Sequence, residues 1–231
     1  MRLRLAAYIA SEDWRDKYDQ MYMFHDGFAI VELNGKCGFV NTQGVEVIPL
    51  KYDDVEKFSE GFAQVKLDGK YGFVNEKGEE VVPLRYHSTD DFSEGFALVQ
   101  LKGKYGFVNT EGKEVIPLKY DDVENFSEGF APVELNRKWG FVNRKGEELV
   151  PLKYDYVWDF SKGFAPVELN RKYSLINKEG VEVVPLMYNQ KEFTQLRALV
   201  DTGEYEGTKE EQYKEAHEEF QIWKKENKPW D

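Results

Sequence analysis

The sequence predicts an all-β repeat array: tandem three-stranded β-meander units in a solenoid-like elongated domain, with a C-terminal α-helical cap. Three observations predict it. A 34-residue period runs five times from Lys17 to Leu186 with no insertion, so that Gly27-Phe28 returns as Gly61-Phe62, Gly95-Phe96, Gly129-Phe130 and Gly163-Phe164. Each copy carries the same punctuation: Asn41, Gly44 and Pro49 return as Asn75, Gly78 and Pro83, and so on to Asn177, Gly180 and Pro185. Between these breakers the apolar residues alternate with a period of two, as in strands. Helical repeats of the same length are excluded, because so many Gly, Asn and Pro residues cannot sit inside two packed helices.

The elements follow in chain order. Residues 1–16 are expected to form an N-terminal cap, and Met1 to Ala10 has too short an apolar core and no clear cleavage site for a signal peptide. Residues 17–186 hold the five repeats. In the fourth, Phe130 to Leu135 (FAPVEL) places Ala131, Val133 and Leu135 on one face and Phe130, Pro132 and Glu134 on the other, the latter read as solvated at its far end. Asn34-Gly35, Asp68-Gly69 and Lys102-Gly103 follow this strand, and such pairs favour a type I′ hairpin whose two central residues need positive φ. Asn136-Arg137 and Asn170-Arg171 are less comfortable there. The second strand (WGFVN, Trp139 to Asn143) ends in an Asn-x-x-Gly turn in which Asn binds its own backbone and Gly supplies the left-handed residue. The third (EVIPLKYD, Glu46 to Asp53) contains Pro49, which cannot donate to a ladder, so an edge or a bulge is expected. The segment Asp53 to Gly61, with Phe58 in the column Phe24, Phe92, Phe126 and Phe160, bridges one meander to the next. Residues 187–231 hold a partial sixth unit and the cap. Gln190 to Val200 reads as a short helix. From Thr208, a capping box with Glu211 opens a longer one, with Tyr213, Ala216, Phe220 and Trp223 at helical spacing.

Composition limits the function classes. Of 231 residues 41% are hydrophobic and 15% aromatic, enough for a continuous core. A net charge of −12 and the lack of basic clusters argue against direct nucleic-acid binding, which rests on Lys and Arg neutralising phosphates. The single cysteine, Cys37, cannot form an internal disulfide, and no apolar run reaches the roughly 20 residues that span a bilayer. A cytoplasmic protein without a membrane segment is expected.

The stretch from Gly129 through Lys138-Trp139-Gly140-Phe141 to Gly146, Val-Pro and Lys-Tyr-Asp resembles the bacterial WG-repeat family, named for its Trp-Gly pair. The resemblance covers Lys17 to Leu186. The Trp column reads Cys37, Tyr71, Tyr105, Trp139 and Tyr173, and the fifth repeat replaces Gly-Phe by Ser174-Leu175. The resemblance implies a β-rich array and no active site.

Candidates for chemistry fail against simpler roles. His25, His87 and His217 match no metal-ligand spacing. His87-Ser88-Thr89-Asp90 reads as a degenerate form of Tyr-Asp-Asp-Val, since adjacency in sequence is not triad geometry. The Gly-Lys pairs at Gly35, Gly69 and Gly103 lack a phosphate-binding loop. Cys37 fills an aromatic position with a small apolar residue. The column Tyr18, Tyr52, Tyr86, Tyr120, Tyr154 and Tyr188 is either the inter-repeat core or a ligand-stacking ladder, and the core is the simpler reading. No cofactor, metal or catalytic residue is expected, and the chain is read as no enzyme.

Positions constant in all repeats serve folding, so binding should concentrate where repeats differ. Tyr22, Asp90, Glu124 and Trp158 stand at the same repeat position as Glu56; the candidate partner-binding set is Tyr22, Met23, His87, Asp90, Tyr156 and Trp158, with Phe220 and Trp223 on the last helix. The helix stripe either caps the last repeat or docks onto a partner or second copy. The expected function is a non-catalytic protein-protein interaction scaffold. Two alternatives stand: an acidic decoy that occupies a basic, nucleic-acid-binding site on a partner protein, and a glycan or small-ligand binder using the aromatic columns. An open solenoid and a propeller-like ring are both compatible with the period.

Overall fold

The computed structural model describes residues 14–201 and 206–226. The sequence expectations for residues 1–13, a cap without a signal peptide, lie outside them. The chain forms two compact blocks, Met1–Leu118 and Lys119–Asp231.

In the first block a short 3-10 turn, Trp14–Lys17, precedes a four-stranded antiparallel meander of Gln20–Met21, Phe28–Leu33, Lys36–Asn41 and Glu46–Tyr52. The four strands return as Asp54–Val55, Phe62–Leu67, Lys70–Asn75 and Glu80–Tyr86, then as Ser88–Thr89, Phe96–Leu101, Lys104–Asn109 and Glu114–Tyr120. In the second block come Asp122–Val123, Phe130–Leu135, Lys138–Asn143 and Glu148–Tyr154, followed by Tyr156–Val157, Phe164–Leu169, Lys172–Asn177 and Glu182–Tyr188. Two helices follow, α1 (Gln190–Asp201) and α2 (Lys209–Glu226).

Each sheet has four strands where the sequence predicts three, and the segment read as a bridge supplies the fourth. Asp54 and Val55 pair with Lys66 and Val65. Ser59 and Phe62 then exchange backbone hydrogen bonds of 2.8 and 2.9 Å around Glu60-Gly61, whose φ angles are 50° and 83°. That is a second two-residue hairpin of the I′ kind in every repeat. A Glu at positive φ hid it from sequence reading, since non-glycine residues seldom adopt that conformation.

The other local devices form as their residue types dictate. Asn34 and Gly35 take φ of 52° and 72°, and Arg137 and Arg171 are driven to 62° and 59° at the less comfortable position. Asn41 Oδ1 accepts the N–H groups of Gln43 and Val45, both at 3.0 Å, and closes the Asn-x-x-Gly turn. Pro49 sits in a bulge: Cys37 faces Tyr52 and Phe39 faces Ile48, so Gly38 alone opposes Pro49, Leu50 and Lys51.

Within each block successive sheets stack face to face. Phe39, Ile48 and Tyr52 of the first sheet meet Val55, Ala63, Val65 and Val74 of the second. The opposite face of the second sheet, with Phe73, Val82 and Tyr86, meets Phe92, Ala97, Val99 and Val108 of the third. In the second block Trp139, Phe141, Val150 and Tyr154 meet Val157, Phe160, Ala165, Val167 and Ile176. At the far end of the strand, read as solvated, Glu134 is half-buried; along the same face Pro132 is buried, and Phe130 is half-buried against Phe160 with ring centroids 4.8 Å apart.

The Tyr column is core, with Tyr52, Tyr86, Tyr120, Tyr154 and Tyr188 all buried. The hydroxyls of Tyr86, Tyr154 and Tyr188 reach polar partners at the rim, as buried Tyr requires. Arg85 donates to the Tyr86 hydroxyl at 2.9 Å and pairs with Glu114, and the Tyr86 hydroxyl donates to the same Glu114 at 3.3 Å. The preceding cation lies over the ring at 4.9 Å for Lys51 on Tyr52 and 4.8 Å for Lys153 on Tyr154.

The fifth sheet has the helices against its outer face. Leu175, Val184 and Tyr188 pack with Phe193, Leu196 and Val200 of α1 and Tyr213, Ala216 and Phe220 of α2. The capping box at α2 forms: the Thr208 N–H donates to Glu211 at 2.8 Å and the Glu211 N–H to Thr208 Oγ1 at 3.3 Å. Asn189 and Glu192 make a second reciprocal pair, 3.0 Å each way, at the start of α1.

Candidate interaction surface

Two rows of polar contacts along the repeats serve the fold. Asp53 accepts the Asp68 N–H of its hairpin at 2.7 Å and pairs with Lys36 at 2.6 Å; Asp155 does the same with Asn170 and Lys138. Lys36 and the Asp68 N–H hold the Asp53 carboxyl below its ordinary value of 3.8. His87 takes this place in the third sheet, where its Nδ1 accepts the Lys102 N–H at 3.3 Å. The Glu60 carboxylate accepts the N–H groups of Glu94 and Gly95 in the next repeat, at 3.0 and 2.9 Å. Glu128 binds Lys162 and Gly163 likewise, at 2.7 and 2.9 Å, and pairs with Lys178. Burial opposes its ionisation, but these three donors outweigh burial and hold Glu128 below its ordinary value.

What the repeat ladders leave over is aromatic. In the second block Trp139, Tyr156, Trp158, Tyr173 and Phe193 run in sequence across the sheets to α1, with successive ring centroids 5.5, 4.8, 6.0 and 5.8 Å apart. Trp139 is buried, Tyr156 is half-buried, and Trp158 is 39% exposed. Tyr156 donates its hydroxyl to Glu124 Oε1 at 3.0 Å, which orients the ring. Burial pushes the Glu124 carboxyl up, partly offset by this hydrogen bond.

Trp158 stands at the mouth of a groove of about 480 Å³ between the fifth sheet and the two helices. Phe164, Tyr173, Phe193 and Tyr213 line it, with Lys162, Arg197 and Lys209 and two acids, Asp159 and Asp201. Burial pushes the Asp159 carboxyl up. The first block has a smaller groove of about 320 Å³ at the same repeat position, edged by Tyr22 and Met23 and floored by Phe28, Phe39 and Phe58. Each groove thus carries an aromatic where Glu56, Asp90 and Glu124 stand in the intervening repeats.

The structure thus brings Tyr156 and Trp158 together and joins them to Tyr173 and Phe193. Tyr22 and Met23, the latter 82% exposed, edge the groove of the first block. His87 and Asp90 flank the two-residue strand Ser88–Thr89 and are exposed. Phe220 is buried against Tyr188, with centroids 5.8 Å apart, so the capping role of the helix stripe accounts for it; it is not on the surface. Trp223 is 54% exposed and stacks on Phe220. Sequence reasoning missed Tyr173, which was read only as a substitute in the Trp column, and Lys162, although its reversal of the Glu column was readable. Among the described residues no three His, Cys, Asp or Glu side chains cluster to hold a metal ion. No described helix is long and apolar enough to cross a membrane.

The WG containing repeat model matches residues 17–37, 38–71, 71–105, 105–139 and 139–173, more than half of the chain. The chain belongs to the WG-repeat family. The family's repeat boundaries fall at the Trp column, in mid-sheet, so the second sheet of this WG-repeat chain takes Phe62–Leu67 from one repeat and Glu80–Tyr86 from the next. No curated protein matches the chain. Among solved structures, Kluyveromyces lactis Hsv2 with loop 6CD replaced by a Gly-Ser linker is 11% identical, with a TM-score of 0.41 over 68% of this chain and 62% of its own. A eukaryotic initiation factor is 12% identical, with a TM-score of 0.43 over 67% and 50%. The WD40 domain of SCAP from fission yeast is 8% identical, with a TM-score of 0.35 over 74% and 56%. The chain spans less than two thirds of each of these.

Proposed function

We propose that this WG-repeat chain is a non-catalytic protein-interaction module and that the aromatic run through Tyr156 and Trp158 is its partner surface. One observation carries the reading. Where the repeat's own pattern puts a carboxylate, the chain puts Trp158, in contact with Tyr156 and Tyr173 and 39% exposed. Rigid, partly exposed aromatic side chains are the commonest anchors of protein interfaces. An acidic decoy is less well supported, because Glu114, Glu148 and Glu182 are engaged with Arg85, Lys119 and Lys153, and Asp53 and Asp155 with Lys36 and Lys138.

Affinity capture with the full chain and with Trp158→Glu as paired baits tests this. The expected outcome is a protein retained by the first and lost from the second, with both baits equally stable to heat. Identical protein recovery from the two baits would refute the assignment.

A further inference from the structure

The interior of the array shows what a groove of this kind holds. Phe58 inserts against Phe28 and Phe39 with both centroids at 4.8 Å, Phe92 against Phe62 and Phe73 at 4.5 and 4.9 Å, and Phe160 against Phe130 and Phe141, both at 4.8 Å. A Phe ring of the following repeat is thus the standard occupant of the outer face of a sheet. At the fifth sheet no repeat follows. Leu175 stands in place of Phe, and Leu175 and Phe164 pack with Phe193 and Tyr213 of the helices, the Phe164 and Tyr213 ring centroids lying 5.6 Å apart. The helices cover the apolar centre and leave the groove beside Trp158.

The charge at the groove also departs from the interior. Glu60, Glu94 and Glu128 occupy the turn position that faces the following repeat, with φ of 50° to 52°. The fifth repeat carries Lys162 there, with the same φ of 52°. Arg197 and Lys209 from the helices line the same groove, against Asp159 and Asp201. In a chain of net charge −12, three cations in one aromatic groove form a local departure that favours an anionic ligand group.

We infer that the groove between the fifth sheet and the helices binds a segment of a partner protein in which an aromatic side chain is followed directly by a carboxylate. The ring enters among Trp158, Phe164, Tyr173 and Tyr213, and the carboxylate lies against Lys162 and Arg197. This rests on the interaction reading above and names the chemistry of the partner.

The test uses three capped tetrapeptides, Gly-Phe-Glu-Gly, Gly-Phe-Lys-Gly and Gly-Ala-Glu-Gly, titrated calorimetrically into the full chain and into Lys162→Glu. The Phe-Glu peptide should bind wild type about fivefold or more tighter than Phe-Lys and about tenfold or more tighter than Ala-Glu. Lys162→Glu restores the residue type the other repeats carry in that backbone conformation, so it should fold, and it should prefer Phe-Lys to Phe-Glu. Absence of Phe-Glu binding to wild type, equal binding of the three peptides, or an unchanged preference in Lys162→Glu overturns the inference. If the peptides fail while capture still depends on Trp158, this inference falls and the interaction reading stands; if capture does not depend on Trp158, that reading itself falls.

Discussion

At Gly106, the glycine of the family's aromatic-glycine pair, a Cβ would overlap the carbonyl oxygen of Ile116, because the Pro117 bulge folds back over it. The same overlap recurs at Gly72 with Val82 and at Gly140 with Val150. The fifth repeat breaks the pattern with Ser174, which is fully buried and donates its hydroxyl to the Val184 carbonyl at 2.6 Å. A Cβ is therefore admissible there when a hydroxyl accompanies it and satisfies the carbonyl that it crowds. Gly106→Ala should cost about 1–3 kcal/mol in urea denaturation, and Gly106→Ser should cost less. The opposite order would remove this explanation of the column. Its constancy was legible in the sequence, but its cause was not, since the overlap involves a bulge ten residues on. His87 was legible as part of a degenerate Tyr-Asp-Asp-Val string; it stands one period after Asp53 and accepts the hairpin N–H that Asp53 and Asp155 accept elsewhere.

Among elements, the Phe that bridges successive sheets and the helix that covers the last one carry the most weight. Phe160 is 2% exposed between two rings, so Phe160→Ala should cost about 3–5 kcal/mol. Phe130→Ala, at a half-buried ring, should cost clearly less; equal losses in thermal denaturation would contradict the assignment. At α2, Gln221 donates to the buried Tyr188 hydroxyl at 3.0 Å, and that hydroxyl in turn hydrogen-bonds His217 Nδ1. Burial lowers the His217 pKa from its ordinary 6.5, against the opposing pull of Glu218. Because the folded value is the lower one, the contribution of His217 is complete above about pH 6.5 and is lost as pH falls through the folded value. Wild type should lose more stability than His217→Asn between pH 7 and pH 5, a window of about two units around the ordinary His range; parallel curves would contradict the account. The strands, hairpins and α2 were legible from period-two alternation, Asn-Gly pairs and a capping box. The fourth strand was not, because two residues make no periodic signal. The half-buried state of Phe130 follows from stacking on the next sheet, which cannot be seen within one strand.

At the scale of the whole molecule, the five like sheets and two helices among the described residues predict a β-dominated circular dichroism spectrum with a minor helical part. A mainly helical spectrum would contradict the fold. Function belongs to this scale as well, because a repeat array makes its own pattern the reference against which a departure stands out. Tyr22 and Trp158 were found in that way, and both edge grooves. The groove behind Trp158 was not legible, since α1 and α2 form part of its wall and nothing in the sequence fixes where they seat. The most direct measurement of the central claim is the affinity of the captured partner for wild type and Trp158→Glu across a salt series, alongside the melting temperature of each. The account predicts a loss of about 2 kcal/mol or more for Trp158→Glu, weak salt dependence, and a stability change within about 1 kcal/mol. Undiminished binding that falls steeply with salt, or a large drop in melting temperature, would contradict it.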